Sequence, residues 1–298
     1  MKSKLIYSLI TLLIIILIFY IINQILIIKE NYNSHTKKKY YVSVCCIIKD
    51  ETYLEEFIIY NRVLGVEHFY IYDNESNIPI KHRLKDNYFK EICTIIDFPG
   101  KVQQLNAYND CLKQYGQDNE WLIFIDGDEF ILPKKHNNIT DFLSEHDEAQ
   151  AIGINWVLFG SSFHDKKQTG LLIDKYRYSE GIQNKHVKTI CKPEYTIKFE
   201  DPHTVVVKDK NKYMDPNKNI ISPPFNENNT IDIIQINHYY GKSIEEQHEK
   251  MNRGTPDRKK EISGYVPQNH DKYNNIKDDL LANKYLQQVY DIYNKINI

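Results

Sequence analysis

The sequence predicts an α/β protein: a Rossmann-like sandwich with a mainly parallel central sheet. Three observations support this fold class. Short apolar runs rich in β-branched and aromatic residues alternate with helical patterns up to residue 125, the joints between them are short, and acidic side chains follow the apolar runs. This alternation is typical of parallel sheets, which bind ligands beyond the carboxyl ends of their strands. The 298 residues are 42% hydrophobic, enough for a large core.

The N-terminal segment is predicted to cross a membrane. No charged residue lies between Lys4 and Lys29, and as a helix these roughly 24 residues would span about 36 Å. A cleaved signal peptide is the alternative, although its apolar core is usually about 7 to 15 residues. We therefore expect a transmembrane anchor with a short N-terminal tail over 1–28, a lysine-rich stem over 29–40 and the folded domain over 41–298. Lysines occur on both sides of the anchor and leave its orientation open.

The first elements of the domain form a predicted βαβ unit. "YYVSVCCII" (40–48) and "EHFYIY" (67–72) read as buried strands. The helix between them has Thr52 and Glu55 as a capping box and Gly65 as its stop. Two strands joined in this way pair in parallel with a right-handed crossover.

The alternation continues with a strand at "ICTIID" (92–97), a helix over 101–115 and a strand at "WLIFI" (121–125). Asp73 ends the second strand, and further acids follow 121–125. Since parallel strands place their carboxyl ends at one edge, these acids should face a common crevice.

The later half is less regular and contains no internal repeat. It has four predicted strands, a helix with Ser243 and Glu246 as a capping box, and a C-terminal helix beginning near 277. The predicted strands are 149–160, 185–193, 203–208 and 230–240, and the helix with the capping box is 243–252.

The segment "WLIFIDGDEF" places Asp126, Asp128 and Glu129 around one glycine at a strand end. Carboxylates held this closely repel one another unless a hard divalent cation binds between them. An Asp-x-Asp pair at this edge suits an enzyme that uses a nucleotide sugar, because Mn²⁺ or Mg²⁺ there neutralises the departing diphosphate.

Simpler interpretations of the same residues remain open. Asp-Gly between apolar runs is the strongest signal for a type I′ hairpin, with "DEFIL" as the return strand. A solvated acidic surface turn is another, whereas an EF-hand would need its glycine and glutamate at other offsets.

Composition argues against other classes. The net charge of −2 is spread over mixed acids and bases, so no nucleic-acid partner is expected. The five cysteines include no C-x-x-C pair, which argues against a zinc site. Most are expected to be buried, and one or two disulfides remain possible.

Beyond these patterns, the chain resembles the GT-A fold glycosyltransferases, and more closely glycosyltransferase family 92. Asp50 stands where that family usually has asparagine, and Phe163 where it has glycine. Six blocks, in the family's order, carry the resemblance across most of 41–254: "IIKDETYLEEFIIYNRVLGVEHFYIYDNES" (47–76), "WLIFIDGDEFI" (121–131), "NWVLFGSS" (155–162), "HVKTICKP" (186–193), "DPHTV" (201–205) and "INHYYGKSIEEQHEKMNRG" (236–254).

The resemblance implies roles for individual residues. Asp126 and Asp128 match the motif that binds the metal and the nucleotide sugar, with Glu129 in support. His238 looks like the late histidine that completes the metal site, and His203 is the substitute. The residues that would lie beside the nucleotide are Lys49, Glu51 and Asp73. The cations that would close over the diphosphate are Lys242, Lys250 and Arg253.

The resemblance also implies a reaction: inverting transfer of a hexose, with galactose favoured, from a UDP-sugar to a glycan hydroxyl. Asp165 is the predicted catalytic base, with Glu200 and Asp201 as rivals. The expected protein is a single-pass type II membrane enzyme with its domain in the Golgi or ER lumen. A catalytically inactive glycan-binding protein on the same fold is the main alternative, and a metal-dependent phosphoesterase is a second.

Overall fold

The computed structural model describes residues 16–24, 38–253 and 271–296. The chain divides into two compact units, Met1–Lys39 and Tyr40–Ile298. In the first unit, helix α1 (16–24) exposes apolar side chains such as Phe19. Across the described ranges, no helix has the length and apolar character needed to span a bilayer. Most of the predicted anchor (1–28) and stem (29–40) lies outside the described residues, so both stay predictions.

The first half of the domain has the predicted βαβ order. Strand β1 pairs in parallel with β2 and with β4, and β2 pairs in parallel with β3, which confirms the parallel arrangement expected from the sequence. The strand order is therefore β3-β2-β1-β4. The elements are β1 (Tyr40–Ile48), α2 (Leu54–Val63), β2 (His68–Asp73), α3 (Ile80–Arg83), α4 (Asn87–Ile92), β3 (Cys93–Asp97), α5 (Gln104–Tyr115) and β4 (Asn119–Phe124).

The second half extends the same sheet from β4 in the order β8-β6-β12-β5. Strands β8 and β5 run against the other strands of this path, so the sheet is mixed while most of its strands are parallel. The elements are β5 (Glu129–Pro133), α6 (Ile139–Ser144), β6 (Ala151–Leu158), α7 (Leu172–Lys175), β7 (Tyr178–Ser179), β8 (Val187–Cys191), β9 (Thr196–Asp201), β10 (Thr204–Val207), β11 (Tyr213–Met214), β12 (Ile234–His238), α8 (Ile244–Arg253), β13 (Ile276–Lys277) and α9 (Leu280–Lys295).

Both faces of the sheet are covered, which explains why its strands read as continuous apolar runs. Alternate residues of β1 belong to different hydrophobic clusters: Val44 and Cys46 pack with α2 and α9, whereas Cys45 and Ile47 pack with α5 and the β9–β10 hairpin. The five cysteines are all free thiols, and four of them are buried.

The hairpin interpretation of Asp126-Gly127 is wrong. Strand β4 pairs with β1 and β8, whereas β5 pairs with β12. Gly127 does not have the positive φ that a type I′ turn requires. Glycine is needed at 127 for a different reason: an added Cβ would lie 2.8 Å from Ile48 Cδ1 and 3.1 Å from Glu51 Cγ.

Of the two predicted capping boxes, one forms and one does not. Ser243 Oγ accepts the Glu246 N–H and Glu246 Oε2 accepts the Ser243 N–H, each at 3.2 Å, as expected. Thr52 does not cap α2, which starts after Tyr53 without a side-chain cap. Glu55 instead binds the Arg83 guanidinium at 2.5 and 3.0 Å, a contact between distant segments that local sequence could not indicate.

Both departures from the family pattern occur at unusual backbone angles. Asp50 has φ of 50° and Phe163 has φ of 64°. Asparagine and glycine adopt this left-handed region readily, whereas a bulky residue is strained there. The family's expected residues at these positions are therefore explained by backbone conformation.

Candidate functional site

The sheet brings the acid cluster to one edge. The carboxyl ends of β1, β4 and β12 meet there with the amino ends of β8 and β5, because His238 pairs with Glu129 and Phe124 pairs with Thr189. Residues from four separate parts of the sequence thus lie around the turn 126–129.

Asp126 is held by three neighbours. Its Oδ1 accepts from Gln104 Nε2 at 2.6 Å and from the Tyr108 hydroxyl at 3.3 Å, and its Oδ2 lies 2.8 Å from Lys188 Nζ. Burial would raise the pKa of Asp126, but the charge and hydrogen bond of Lys188, together with His238, lower it overall. Asp126 is therefore a carboxylate fixed in place by a lysine.

Asp128 is buried between two basic side chains. Its Oδ2 lies 2.8 Å from Lys250 Nζ and its Oδ1 lies 3.7 Å from His238 Nε2. Burial opposes ionisation, yet Lys250 and His238 together hold the pKa of Asp128 well below its usual range. Burial lowers the pKa of His238 to about 4, so this imidazole is neutral near pH 7.

Glu129 lies beneath both aspartates and is fully buried. Its Oε2 accepts the Asp126 N–H at 2.9 Å and lies 3.6 Å from Lys188 Nζ. Its Oε1 faces His238 Nδ1 at 4.0 Å, and neither atom has a hydrogen-bond partner among the described residues. Burial raises the pKa of Glu129. Its position fits the supporting role expected for it.

Lys188 is the main site residue that the sequence did not indicate. Only 1% of its side chain is exposed, and it joins Asp126 to Glu129. Although burial lowers a lysine pKa, the two carboxylates raise that of Lys188 above its ordinary value. The available signal was a lysine inside the apolar strand "VKTIC", because a lysine in a buried strand needs an acidic partner.

The predicted metal ligands are only partly assembled. Asp128 and His238 face each other, but the carboxylate of Asp126 is bound to Lys188 and Gln104. Among the residues that the structure describes, no three His, Cys, Asp or Glu side chains are grouped to hold a metal ion. Two protein ligands are nevertheless compatible with Mg²⁺ or Mn²⁺, which often complete their coordination with substrate phosphates and water.

The residues predicted beside the nucleotide are arranged differently from one another. Glu51 is buried next to Gly127 and pairs with Lys242 at 2.8 Å. Asp73 binds the backbone of its own loop through both oxygens, accepting from the N–H groups of Ser76 and Ile80. Asp73 thus supports the loop that follows β2, while Glu51 lies against the turn 126–129, which we call the acid turn.

Helix α8 is attached to the site by several contacts. Its Glu246 accepts from the hydroxyls of Tyr53 and Tyr176, and Lys250 reaches Asp128. Of the three predicted cations, Lys242 and Lys250 therefore lie at the site. The side chain of Arg253 is outside the described residues, as are residues 254–270.

The candidate bases are not brought into contact with the acid cluster. Asp165 is exposed, and its carbonyl accepts the Glu245 N–H at the start of α8. Glu200 pairs with Lys198 on an exposed strand, and Asp201 accepts the His203 N–H. The catalytic base stays a prediction.

Comparison with known proteins identifies the family. The family model of glycosyltransferase family 92 matches residues 38–275. The chain belongs to glycosyltransferase family 92. The resemblance inferred from the six blocks is thereby confirmed.

Two curated relatives carry the same family description. A family 92 protein of Oryza sativa subsp. japonica is 29% identical over 126 residues, which is 41% of this chain and 21% of that protein. A family 92 protein of Ricinus communis is 29% identical over 110 residues, covering 36% of this chain and 19% of that protein. The matched regions thus span about a fifth of each relative.

Solved structures match more remotely. S. aureus TarS 1–349 in complex with UDP has a TM-score of 0.36 and 14% identity, over 52% of this chain and 47% of that one. A putative glucose-1-phosphate thymidylyltransferase from Bacillus anthracis has a TM-score of 0.30 and 10% identity, over 52% and 72% of the two chains.

Proposed function

We propose that this family 92 domain adopts a GT-A arrangement and transfers a sugar from a UDP-sugar to a glycan hydroxyl. The observation that carries the proposal is Asp128, an ionised carboxylate buried at the carboxyl edge of the sheet beside His238 and Lys250. Ionised groups are rarely kept buried without a specific role, and they cluster at functional sites.

The charges around Asp128 suit a diphosphate. Lys250 and Lys242 come from one segment, and Lys250 reaches Asp128 in the turn while Lys242 reaches Glu51 beside it. A nucleoside diphosphate entering this edge would offer its negative oxygens to these ammonium groups in place of the carboxylates. Lys188, which is buried, would hold Asp126 in position during this exchange.

Asp128 and His238 are the residues that would hold Mn²⁺ or Mg²⁺, together with oxygens of the donor. When bound, such an ion supplies positive charge that stabilises the departing diphosphate. Glu129 behind His238 would orient its ring, as carboxylates commonly do for metal-binding histidines.

The finer features of the reaction belong to the same proposal. They are a hexose donor, with galactose favoured, inversion at the anomeric carbon, and Asp165 as the group that takes the proton of the acceptor hydroxyl. Asp165 is supported by its loop, which leaves the sheet after β6 and packs against α8. Membrane attachment through residues 1–28 and a lumenal location are likewise proposals.

The test uses the purified full-length chain and a panel of UDP-sugars. We expect UDP to raise the melting temperature, and at least one UDP-hexose to release UDP in the presence of Mn²⁺ and to lose this turnover with EDTA. Absence of both UDP binding and turnover would contradict the proposal. Glycan binding without a response to UDP would favour the inactive glycan-binding interpretation.

A further inference from the structure

A group of aromatic rings lies beside the acid turn (126–129). It is separate from the donor site, the residues proposed above to hold the metal and the diphosphate: Asp128, His238, Lys242 and Lys250. Trp156 stacks on His186 with centroids 5.3 Å apart, and His203 meets it edge to face at 5.2 Å. These three residues are named the Trp156 cluster. All three are partly exposed. The cluster adjoins the donor site, because the Trp156 and His238 rings are 4.6 Å apart.

Both imidazoles of the cluster have a defined tautomer. His203 Nδ1 lies 2.9 Å from the Val187 carbonyl oxygen, which can only accept, so Nδ1 carries the proton. His186 Nδ1 lies 2.9 Å from the Asn184 side-chain oxygen, which also accepts the His186 backbone N–H. In the neutral form of each ring, Nε2 is therefore unprotonated. Neither Nε2 has a hydrogen-bond partner within the described part of the chain.

The side chains of the cluster include no carboxylate, ammonium or guanidinium group. Burial, assisted by Lys188 for His203 and by Lys185 for His186, lowers the pKa of both imidazoles. This surface differs from the donor site a few ångströms away, where lysines and carboxylates are paired. A face of aromatic rings with polar ring nitrogens and no permanently charged group suits an uncharged ligand that carries hydroxyl groups.

The position of the cluster separates it from the nucleotide. Lys49 and Glu51, which are predicted to lie beside the nucleotide, follow β1, on one side of β4 in the sheet. The Trp156 cluster is carried by β6, by the start of β8 and by the β9–β10 turn, on the other side of β4. A donor lying along β1 and β4 would present its sugar toward the cluster across Asp128 and His238.

These features match the chemistry of a sugar ring. The face of an indole carries negative charge density and attracts the weakly positive C–H groups of a pyranose. The lone pairs at Nε2 of His186 and His203 can accept hydrogens from its hydroxyls. Such a combination of aromatic surface and few polar groups is typical of small-molecule sites.

We propose that Trp156, His186 and His203 form the binding subsite for the acceptor sugar. The assignment to an acceptor rests on the proposed glycosyltransferase function, because it places the second substrate next to the donor. It goes further by naming the residues that select a neutral glycan.

The experiment measures sugar binding and UDP binding separately on the full-length chain. The chain contains two tryptophans, of which Trp121 is fully buried, so a glycoside at the cluster should change the emission of Trp156. The probes are the methyl β-glycosides of galactose, glucose and N-acetylglucosamine, and methyl α-mannoside, each titrated with and without saturating UDP. UDP affinity is measured by calorimetry.

The variants are Trp156→Leu, with Trp156→Phe as the milder change, and His203→Phe, which removes the Nε2 acceptor but keeps a ring. Glycoside binding by the variants is measured by calorimetry. It is also measured by competition, in which a variant takes glycoside from the wild type and reverses the change in Trp156 emission. Tyr195→Leu is the matched control, because Tyr195 follows the far end of β8 and is similarly exposed.

We expect at least one glycoside to shift the Trp156 emission. Trp156→Leu and His203→Phe should each weaken that glycoside at least about tenfold, with a smaller loss in Trp156→Phe. UDP affinity should change less than about threefold in these variants, and Tyr195→Leu should alter neither ligand.

The proposal is overturned if no glycoside in the panel perturbs the emission, or if the Trp156 and His203 variants bind it as the wild type does. If the wild type binds a glycoside but does not bind UDP, the result counts against the glycosyltransferase function instead. The two failures are thus distinguishable.

Discussion

The two sides of the acid turn are built on opposite principles. On the charged side, which is the donor site around residues 126–129, buried charges are compensated by opposite charges, as in Lys188 with Asp126 and Lys242 with Glu51. On the other side, in the Trp156 cluster, partial burial lowers the pKa of the His186 and His203 rings. This difference supports our proposals that one side binds an anion with its counter-ion and that the other binds an uncharged molecule.

The largest expected effect is on turnover and concerns the charged side. Asp128→Asn removes the carboxylate between Lys250 and His238 while keeping its shape. We expect UDP-hexose turnover to fall about 1,000-fold, equivalent to about 4 kcal/mol. Asp141→Asn, an exposed aspartate on α6, is the matched control and should retain wild-type turnover. Equal activity of the two variants would remove Asp128 from the mechanism.

The next effect concerns stability and compares two lysines of the charged side. Lys188→Met leaves Asp126 and Glu129 without their buried cation, so the free energy of unfolding should fall by about 3–5 kcal/mol. Lys250 is 27% exposed, and Lys250→Met should cost only about 1 kcal/mol. Urea denaturation measures both. Similar losses would show that burial does not distinguish the two ion pairs.

The third prediction concerns how stability depends on pH. A buried carboxylate without a salt bridge to a lysine among the described residues should show the opposite dependence to Asp126 and Asp128. Glu56 accepts the N–H groups of Leu172 and Ile173, and burial raises its pKa to about 7. Since the unfolded value is about 4.3, the folded state binds this proton more tightly. The stability it contributes is complete below about pH 4.3 and is lost as the pH rises through about 7.

Melting temperatures of the wild type and Glu56→Gln from pH 4 to 8 test this sign. The wild type should lose stability relative to the variant as the pH rises, whereas parallel profiles would contradict the raised pKa. The pKa values of Asp126 and Asp128 are lowered, so their contributions to stability have the reverse pH dependence. Lysine charges and hydrogen bonds, together with His238, outweigh burial there.

The smallest effect concerns the loop that follows β6. Phe163 has a positive φ, and 60% of the residue is exposed. The centroids of its ring and the Tyr178 ring are 5.0 Å apart. Phe163→Gly should raise the free energy of unfolding by up to about 1 kcal/mol, because glycine tolerates this conformation. Phe163→Ala removes the same ring contact but keeps the strain, and it should not be stabilised. Equal changes in both variants would exclude the backbone explanation.

Local patterns were sufficient to predict β1 to β4 as strands, and β1–β2 and β2–β3 each pair across one crossover. Strand β4 instead pairs with β1, from which β2 and β3 separate it in the sequence. They were insufficient at Glu129, where Asp-Gly suggested a hairpin but β5 pairs with β12, more than 100 residues later. The reason is that strand pairing is non-local, whereas turn preference is read from neighbouring residues.

The site was predictable to a similar extent. The positions of Asp126 and Asp128 followed from a strand end, and His238 followed from the family resemblance. Lys188, Gln104 and Tyr108 could not be assigned, because their contacts with Asp126 arise only when β8 and α5 pack around β4. Asp73 was predicted at the right strand end, but the sequence could not show that its oxygens bind the following loop.

The most direct test of the charged side is calorimetric titration of UDP into the full-length wild type and Asp128→Asn, with Mn²⁺ and with EDTA. We expect saturable UDP binding by the wild type in Mn²⁺, weakened at least about tenfold by EDTA and by Asp128→Asn. UDP binding that is the same in all of these conditions would contradict the assignment of Asp128 to the nucleotide diphosphate.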